Sequence, residues 1–110
     1  MENFDGNEIV QASFDIIFNA GEARTKCELA LKELETFDFE KAEEYLKEAK
    51  REIVKAHQKQ TEIIQSYIGE IDGQPYYMIF SHAQDTLMTI NSEILIARHL
   101  IKITKSLFEK

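Results

Sequence analysis

The sequence predicts an all-α protein that folds as an antiparallel three-helix bundle. Breaks in the chain are scarce, with four Gly and one Pro in 110 residues, so the elements between turns must be long. Apolar residues recur at intervals of three or four positions, which is the period of a helix with one buried face. The length fits a single domain over residues 1–110, since domains commonly have about 100–150 residues.

The first helix is predicted over residues 7–36. Its core stripe is Ile9, Ala12, Ile16, Ala20, Ala23, Cys27, Ala30 and Leu34. Cys27 is the single cysteine of the chain, and we interpret it as a small core residue. Gly21 lies inside the helix, where it costs about 1 kcal/mol relative to Ala. We therefore expect Gly21 to mark a close approach to a neighbouring helix or to a functional site.

The second helix is predicted over residues 38–69, after a break at residues 36–38 in which Asp38 can cap the new helix. Its core stripe is Phe39, Ala42, Leu46, Ala49, Ile53, Ala56, Gln60, Ile63 and Tyr67. A loop over residues 69–75, which contains two Gly and the only Pro, separates it from the third helix.

The third helix is predicted over residues 75–108 and carries two stripes. The first stripe continues the core and consists of Tyr76, Phe80, Ala83, Leu87, Ile90, Ile94, Ala97, Ile101, Thr104 and Phe108. The second lies about 200° around the helix and consists of Met78, His82, Asp85, Thr89, Ser92, Ile96, His99 and Ile103. A helix at the edge of a lone three-helix bundle needs one buried face, so we expect the second stripe to face other subunits. A widened core face is the alternative.

The composition disfavours several classes of function. The chain has 20 acidic and 13 basic residues, and a net charge of −7 disfavours nucleic-acid binding. No apolar run approaches the ~18 residues that span a bilayer, and the N-terminus lacks the basic and apolar regions of a signal peptide. We therefore expect a cytoplasmic protein without membrane insertion. The sequence contains no phosphate-binding loop, so no nucleotide cofactor is expected.

His82 is the strongest candidate for a functional residue. It lies near the start of the third helix, and Asp85 and Thr86 share its face three and four residues on. The same stripe carries further polar groups where an interface helix should be apolar, and burying unpartnered polar groups costs stability. A neutral imidazole is also a competent nucleophile toward a phosphoryl group near pH 7.

His57 and His99 carry weaker signals. His57 lies beside the core stripe of the second helix, and Gln60 occupies a core slot. Either a polar pocket opens at this level, or Gln60 is a hydrogen-bonded buried amide. His99 lies between Ile96 and Ile103 on the second stripe of the third helix and is expected to pack there.

Three segments resemble motifs of the lactose/cellobiose family of enzyme IIA proteins of the bacterial sugar phosphotransferase system. The most specific is His-Ala-Gln-Asp-Thr-Leu-Met-Thr at residues 82–89. Asn-Ala-Gly-Glu-Ala-Arg at residues 19–24 and Lys-Ala-His-Gln-Lys-Gln-Thr at residues 55–61 resemble the first- and second-helix motifs. The resemblance covers essentially the whole chain, with the motifs in the family order.

The resemblance implies a phosphocarrier, a phosphotransferase component that completes no reaction alone. Family members are three-helix subunits that assemble as homotrimers, which makes a nine-helix bundle. The phosphocarrier protein HPr phosphorylates a His on the third helix, and His82 matches that acceptor. The phosphoryl group then passes to a Cys of the cognate enzyme IIB during uptake of a lactose/cellobiose-type sugar.

The resemblance also implies roles for residues around His82. Asp85 matches the family Asp that meets its symmetry mates on the trimer axis, often with a bound divalent cation, for which we expect Mg²⁺. Gln84 matches a Gln near the phosphoryl group. Thr86 stands where many members have a second His, and its hydroxyl can still donate to a phosphoryl oxygen.

His57 and Gln60 belong to the segment that resembles the second-helix motif. They are further candidates for residues that support the phosphoryl group.

Two other functions are alternatives. A non-catalytic helical oligomeric adaptor would tolerate polar residues in its interface. A histidine phosphotransfer domain of a signalling relay is also helical, but the Lys and Gly that usually follow its acceptor are missing after His82.

Overall fold

Helices account for nearly all of the described chain. A computed structural model describes residues 6–66 and 77–110, which form α1 (Gly6–Glu35), α2 (Phe39–Ser66) and α3 (Tyr77–Phe108). No strand occurs within those two stretches. The all-α prediction is confirmed. The predicted end of the second helix, the loop over residues 69–75 and the predicted start of the third helix lie outside the described residues.

The core is formed by one face of each helix. All eight residues of the predicted α1 stripe are buried. On α2 the buried residues are Ala42, Leu46, Ala49, Ile53, Ala56 and Ile63. On α3 they are Phe80, Ala83, Leu87, Ile90, Ile94, Ala97 and Ile101. The three-to-four spacing therefore predicted most of the buried residues correctly. Of the other predicted stripe residues, Phe39, Gln60 and Thr104 are half-buried and Phe108 is 58% exposed. Tyr67 and Tyr76 lie outside the described residues. None of the three described helices is long and apolar enough to cross a bilayer.

A Schellman motif ends α1. The Asp38 N–H donates to the carbonyl of Glu33 at 3.0 Å. The Phe37 N–H donates to the carbonyl of Leu34, also at 3.0 Å, so two terminal carbonyls of the helix are satisfied. Phe37 has a φ of 61°, in the left-handed region that Gly usually occupies in this motif. Asp38 then caps α2 as predicted, because its carboxylate accepts the Lys41 N–H at 3.1 Å.

Three aromatic rings meet beside this turn. Phe37 stacks on Phe108 with ring centroids 4.9 Å apart, and Phe39 meets Phe108 edge-on at 5.4 Å. Aromatic pairs of this kind are worth about 0.5–1.5 kcal/mol beyond the area they bury. The rings therefore offset the cost of a positive φ at Phe37 and hold the end of α3 against the α1–α2 turn.

Ser13 is a polar residue inside this apolar core. Its side chain is fully buried on α1, and its hydroxyl has no hydrogen-bond partner among the described residues. A buried donor without a partner costs about 1–3 kcal/mol. Ser13 therefore weakens the subunit in this conformation.

Substitutions of Phe37 separate the ring contacts from the backbone cost. Phe37→Ala and Phe37→Gly both lose the ring, but only Gly relieves the positive φ. We therefore expect the Gly variant to be more stable than the Ala variant by about 1 kcal/mol. Urea unfolding at one protein concentration measures the difference. Equal stabilities would show that residue 37 does not need a positive φ in solution.

Replacement of Ser13 by Ala is expected to raise the free energy of unfolding by about 1 kcal/mol. The substitution removes an unpartnered buried hydroxyl and introduces a better helix former. Ser106→Ala, at an exposed position of α3, measures the helix-propensity contribution alone. A Ser13→Ala protein that gains no more stability than Ser106→Ala would indicate that the Ser13 hydroxyl has a partner in solution.

Candidate functional site

His82 lies on the outer side of α3, about one and a half turns after the first residue of the helix. Its neighbours Phe80 and Ala83 are buried in the core at 2% and 0% exposure, whereas the His82 side chain is exposed. The buried neighbours hold the backbone of this turn in place. The backbone that carries the imidazole is therefore held in place, and the side chain is accessible to another molecule.

Asp85 and Thr86 follow on the same side of α3. Asp85 is exposed and Thr86 is half-buried. The Thr86 hydroxyl donates to the main-chain carbonyl of His82 at 2.9 Å, a bond that Thr side chains commonly make one turn back along a helix. Because a hydroxyl has one hydrogen, Thr86 must leave this carbonyl before it can donate to a phosphoryl oxygen. The sequence did not reveal this competition.

Gln84, His57 and Gln60 do not share the face of His82. Gln84 is half-buried and points about 200° away, because it is two residues further along the helix. His57 is exposed on α2 and Gln60 is half-buried, so Gln60 is not a fully buried amide. A shallow groove of about 420 Å³ is lined by Val54, His57, Gln58, Thr61 and Glu62. All of its lining residues belong to α2. Among the residues that the structure describes, His57 is the only predicted site residue that lines this groove.

The second stripe of α3 faces outward along its whole length. All eight of its residues are exposed, and Ile96 and Ile103 expose 57% and 56% of their surface. The alternative prediction, that the second stripe widens the core face of α3, is therefore wrong for the subunit. The expected packing of His99 is also not found within the subunit, where its side chain is exposed.

An ion pair that the sequence did not reveal joins α1 to α3. Arg24 donates from Nε and Nη2 to the two carboxylate oxygens of Glu93, at 3.2 and 2.7 Å. The hydrogen bond to Glu93 and its negative charge raise the pKa of the Arg24 guanidinium above its usual value. Arg24 ends the segment at residues 19–24 that resembles the first-helix motif, but nothing in the sequence pointed to a partner 69 positions away.

A groove of about 450 Å³ runs beside this ion pair between α1 and α3. Cys27 lines this groove and is buried as predicted. Its Sγ lies 4.0 Å from the carbonyl oxygen of Glu93, which is a long contact. Burial raises the pKa of the Cys27 thiol, and the charge of Glu93 adds to the effect. Cys27 is therefore not prepared for thiolate chemistry.

Gly21 does not mark a close approach between helices of the subunit. It is exposed, and a Cβ added to it would have no heavy atom within 4 Å. The prediction of contact with a neighbouring helix is therefore wrong for the helices of the same chain. Its carbonyl accepts a hydrogen bond from the Thr25 hydroxyl at 3.2 Å, which Ala at position 21 would equally allow.

A single subunit does not assemble a metal site from its described residues. Within residues 6–66 and 77–110, no three His, Cys, Asp or Glu side chains come together. Asp85 nevertheless offers an exposed carboxylate, and oxygen ligands of this kind suit Mg²⁺. Asp85 fits a shared cation only if further copies of the chain supply further carboxylates.

Comparison with known proteins identifies the family of the chain. Residues 11–105 match the model of the lactose/cellobiose-specific IIA subunit of the PTS system. The chain is 35% identical over 102 residues to the lactose-specific EIIA component of Lacticaseibacillus casei, covering 93% of this chain and 90% of the relative. It is 37% identical over 100 residues to the lactose-specific EIIA component of Lactococcus lactis subsp. lactis, covering 89% and 92%.

A relative with a different named sugar is similar over the same span. The N,N'-diacetylchitobiose-specific EIIA component of Escherichia coli (strain K12) is 31% identical over 106 residues, covering 96% of this chain and 87% of the relative. The family model and these near full-length similarities lead to one conclusion. The chain belongs to the lactose/cellobiose-specific IIA subunit family of the PTS system.

Proposed function

We propose that this chain is a phosphocarrier that accepts a phosphoryl group from phospho-HPr on His82 and passes it to a Cys of its enzyme IIB. Family membership supports a phosphocarrier role in sugar uptake and a transferase-type activity. The observation that carries the assignment to His82 is its position, because it is an exposed imidazole on a turn of α3 held by buried neighbours. The family description and the names of the lactose-specific relatives support a lactose/cellobiose-type sugar as the transported substrate.

The transfer itself asks little of the subunit beyond positioning. A neutral nitrogen of His82 attacks the phosphorus in line with the bond to the donor atom of HPr, and that bond breaks as the nitrogen–phosphorus bond forms. In the second transfer the Cys sulfur of enzyme IIB attacks, and the nitrogen of His82 leaves. A helix supports both steps, because its rigid backbone holds the attachment point of the imidazole in place.

The supporting residues contribute in different ways. Thr86 donates to the phosphoryl oxygens after its hydroxyl leaves the His82 carbonyl, which lies one turn away. Gln84 points away from the His82 of its own chain, so its amide serves the site of a neighbouring chain. His57 and Gln60 lie on α2 and act when the partner protein or another copy closes over the site.

The proposed assembly is a homotrimer of antiparallel three-helix subunits, that is, a nine-helix bundle. The exposed second stripe of α3 supports it, because alternating spacings of four and three residues are typical of helices that pack around one another. The exposed apolar side chains next to the stripe, at Leu95 and Leu100, widen the surface available for burial. A slender subunit of 110 residues also has a high ratio of surface to volume, which assembly reduces.

Asp85 is proposed to hold a divalent cation, with Mg²⁺ expected, on the trimer axis. Rotational symmetry brings each residue that faces the axis together with its own mates, so three carboxylates would meet there. Three carboxylates repel one another unless a cation or shared protons compensate. The cation would compensate the charge of the three carboxylates in the assembly. It would not accept the phosphoryl group, because the acceptor is His82.

The proposed partners are therefore HPr, the cognate enzyme IIB and two further copies of the chain, and the proposed location is the cytoplasm. Direct membrane insertion, nucleic acids and nucleotides have no part in this function. The net charge of −7 is compatible with docking to basic surfaces of the partner proteins.

Phosphorylation in a reconstituted system tests the acceptor. With phosphoenolpyruvate, enzyme I and HPr, we expect wild-type protein to gain one acid-labile phosphoryl group per chain by intact-mass spectrometry. His82→Gln should gain none, because the attacking nitrogen is missing. Lys102→Gln, which changes an exposed side chain of α3 that has no proposed role, should be labelled at the wild-type rate.

His57→Gln tests the supporting role on α2, and slower labelling is expected. Labelling of His82→Gln would contradict the assigned acceptor. Absence of labelling on every form, including the wild type, would contradict the phosphocarrier function and favour a helical adaptor.

Sedimentation with and without a chelator tests the role of Asp85. We expect wild-type protein to be trimeric, with an apparent trimer dissociation constant that rises at least tenfold in EDTA, about 1.4 kcal/mol. Asp85→Asn should be trimeric in EDTA as well, because it removes the repelling charges. Asp15→Asn, which removes a carboxylate from α1, should still respond to EDTA.

A monomer under all conditions would contradict the assembly. A wild-type trimer that EDTA does not affect would contradict the cation.

A further inference from the structure

His99 repeats the position of Asp85 on α3. The two residues are 14 positions apart, which is two heptads, and both belong to the exposed second stripe. At about 1.5 Å per residue, their levels on the helix are separated by about 21 Å. If Asp85 faces the axis of the assembly, a heptad repeat also directs His99 toward it.

The surroundings of the two levels differ. Around Asp85 the neighbouring stripe positions are polar, with His82 before it and Thr89 after it. Around His99 they are Ile96 and Ile103, which expose 57% and 56% of their surface in the isolated subunit. Assembly through this stripe would therefore enclose His99 between two apolar layers, in contrast to the polar layer at Asp85.

Rotational symmetry turns each such residue into a layer of identical side chains. One imidazole per chain becomes three imidazoles around the axis at the level of His99. Three convergent imidazole nitrogens are the protein ligands of a common type of Zn²⁺ site, with Zn–N distances of about 2.0–2.1 Å and one position left for water. Imidazole ligands suit Zn²⁺, Co²⁺, Ni²⁺ and Cu²⁺, whereas carboxylates suit Mg²⁺.

We infer that the three His99 side chains of the assembled protein form a binding site for a divalent transition metal of the Zn²⁺ class. The inference rests on the proposed trimer and goes beyond it, because this second level is separate from Asp85 and from the acceptor His82. The site holds metal through neutral imidazole nitrogens and involves no change of oxidation state. Apolar side chains above and below exclude water from all but the remaining coordination position.

Co²⁺ titration of untagged, EDTA-treated and dialysed protein tests the site, because the visible absorption of Co²⁺ reports its ligands directly. We expect one intensely absorbing Co²⁺ per three chains, with a band typical of low coordination number, and displacement of this Co²⁺ by Zn²⁺. His99→Leu should remain trimeric, since it extends the apolar layers, and should lose Co²⁺ affinity at least a hundredfold. His99→Asn provides a second variant that also lacks the imidazole.

Three control variants locate the binding. Asp85→Asn should keep the Co²⁺ site, because its carboxylate belongs to the other level. His82→Gln and His57→Gln should also keep it, which excludes the other two exposed imidazoles. A stoichiometry of one Co²⁺ per three chains, lost only with His99, supports the inference.

The outcomes separate this inference from the proposed function. A trimer that is phosphorylated on His82 but binds no Co²⁺, or that binds Co²⁺ equally well after His99→Leu, would overturn the metal site and leave the phosphocarrier function intact. A protein that is monomeric at every concentration would overturn the metal site through failure of the assembly. Sedimentation of the same samples identifies which of these has occurred.

Discussion

Helix α3 can bury only one of its two faces inside the subunit, and the candidate site depends on this constraint. Seven side chains from Phe80 to Ile101 are buried against α1 and α2. Burial of apolar surface contributes about 25 cal/mol per Å², so a face of this size decides how α3 is rotated about its own axis. Residues about 200° away are then exposed whatever their own preferences, and His82 and Asp85 are among them.

The outward face of α3 is divided along its length. Its first half carries polar groups around His82, whereas its second half carries Ile96 and Ile103. Apolar residues lose their contact with water when another chain covers them, which favours assembly through the second half. A reacting imidazole needs access and a well-held backbone instead, and the first half provides both because His82 is exposed while Phe80 and Ala83 are buried.

Contacts at the helix ends and surfaces make smaller contributions. Partly exposed ion pairs such as Lys26–Glu48 at 3.6 Å and Lys105–Glu43 at 3.9 Å are each worth about 0–1 kcal/mol. The Arg24–Glu93 pair has the better, bidentate geometry but is also partly exposed. These pairs select among packings that the core already permits. The aromatic contacts of Phe37 have a more specific effect, because they accompany a backbone conformation that Phe rarely adopts.

The sequence by itself determined the number of helices, most residues of their buried faces and the cap at Asp38. These properties depend on local spacing and on the hydrophobic effect, and both can be read along the chain. The sequence also singled out His82 and Asp85 as neighbours on one helical face, because residues three apart on a helix are adjacent. Only the tertiary structure decided that Glu93 partners Arg24, that Phe37 rather than Gly takes the positive φ, and that Gly21 faces open space. Each of these depends on the rotation and relative position of packed helices, which follow from the sum of many contacts and from no single segment of sequence.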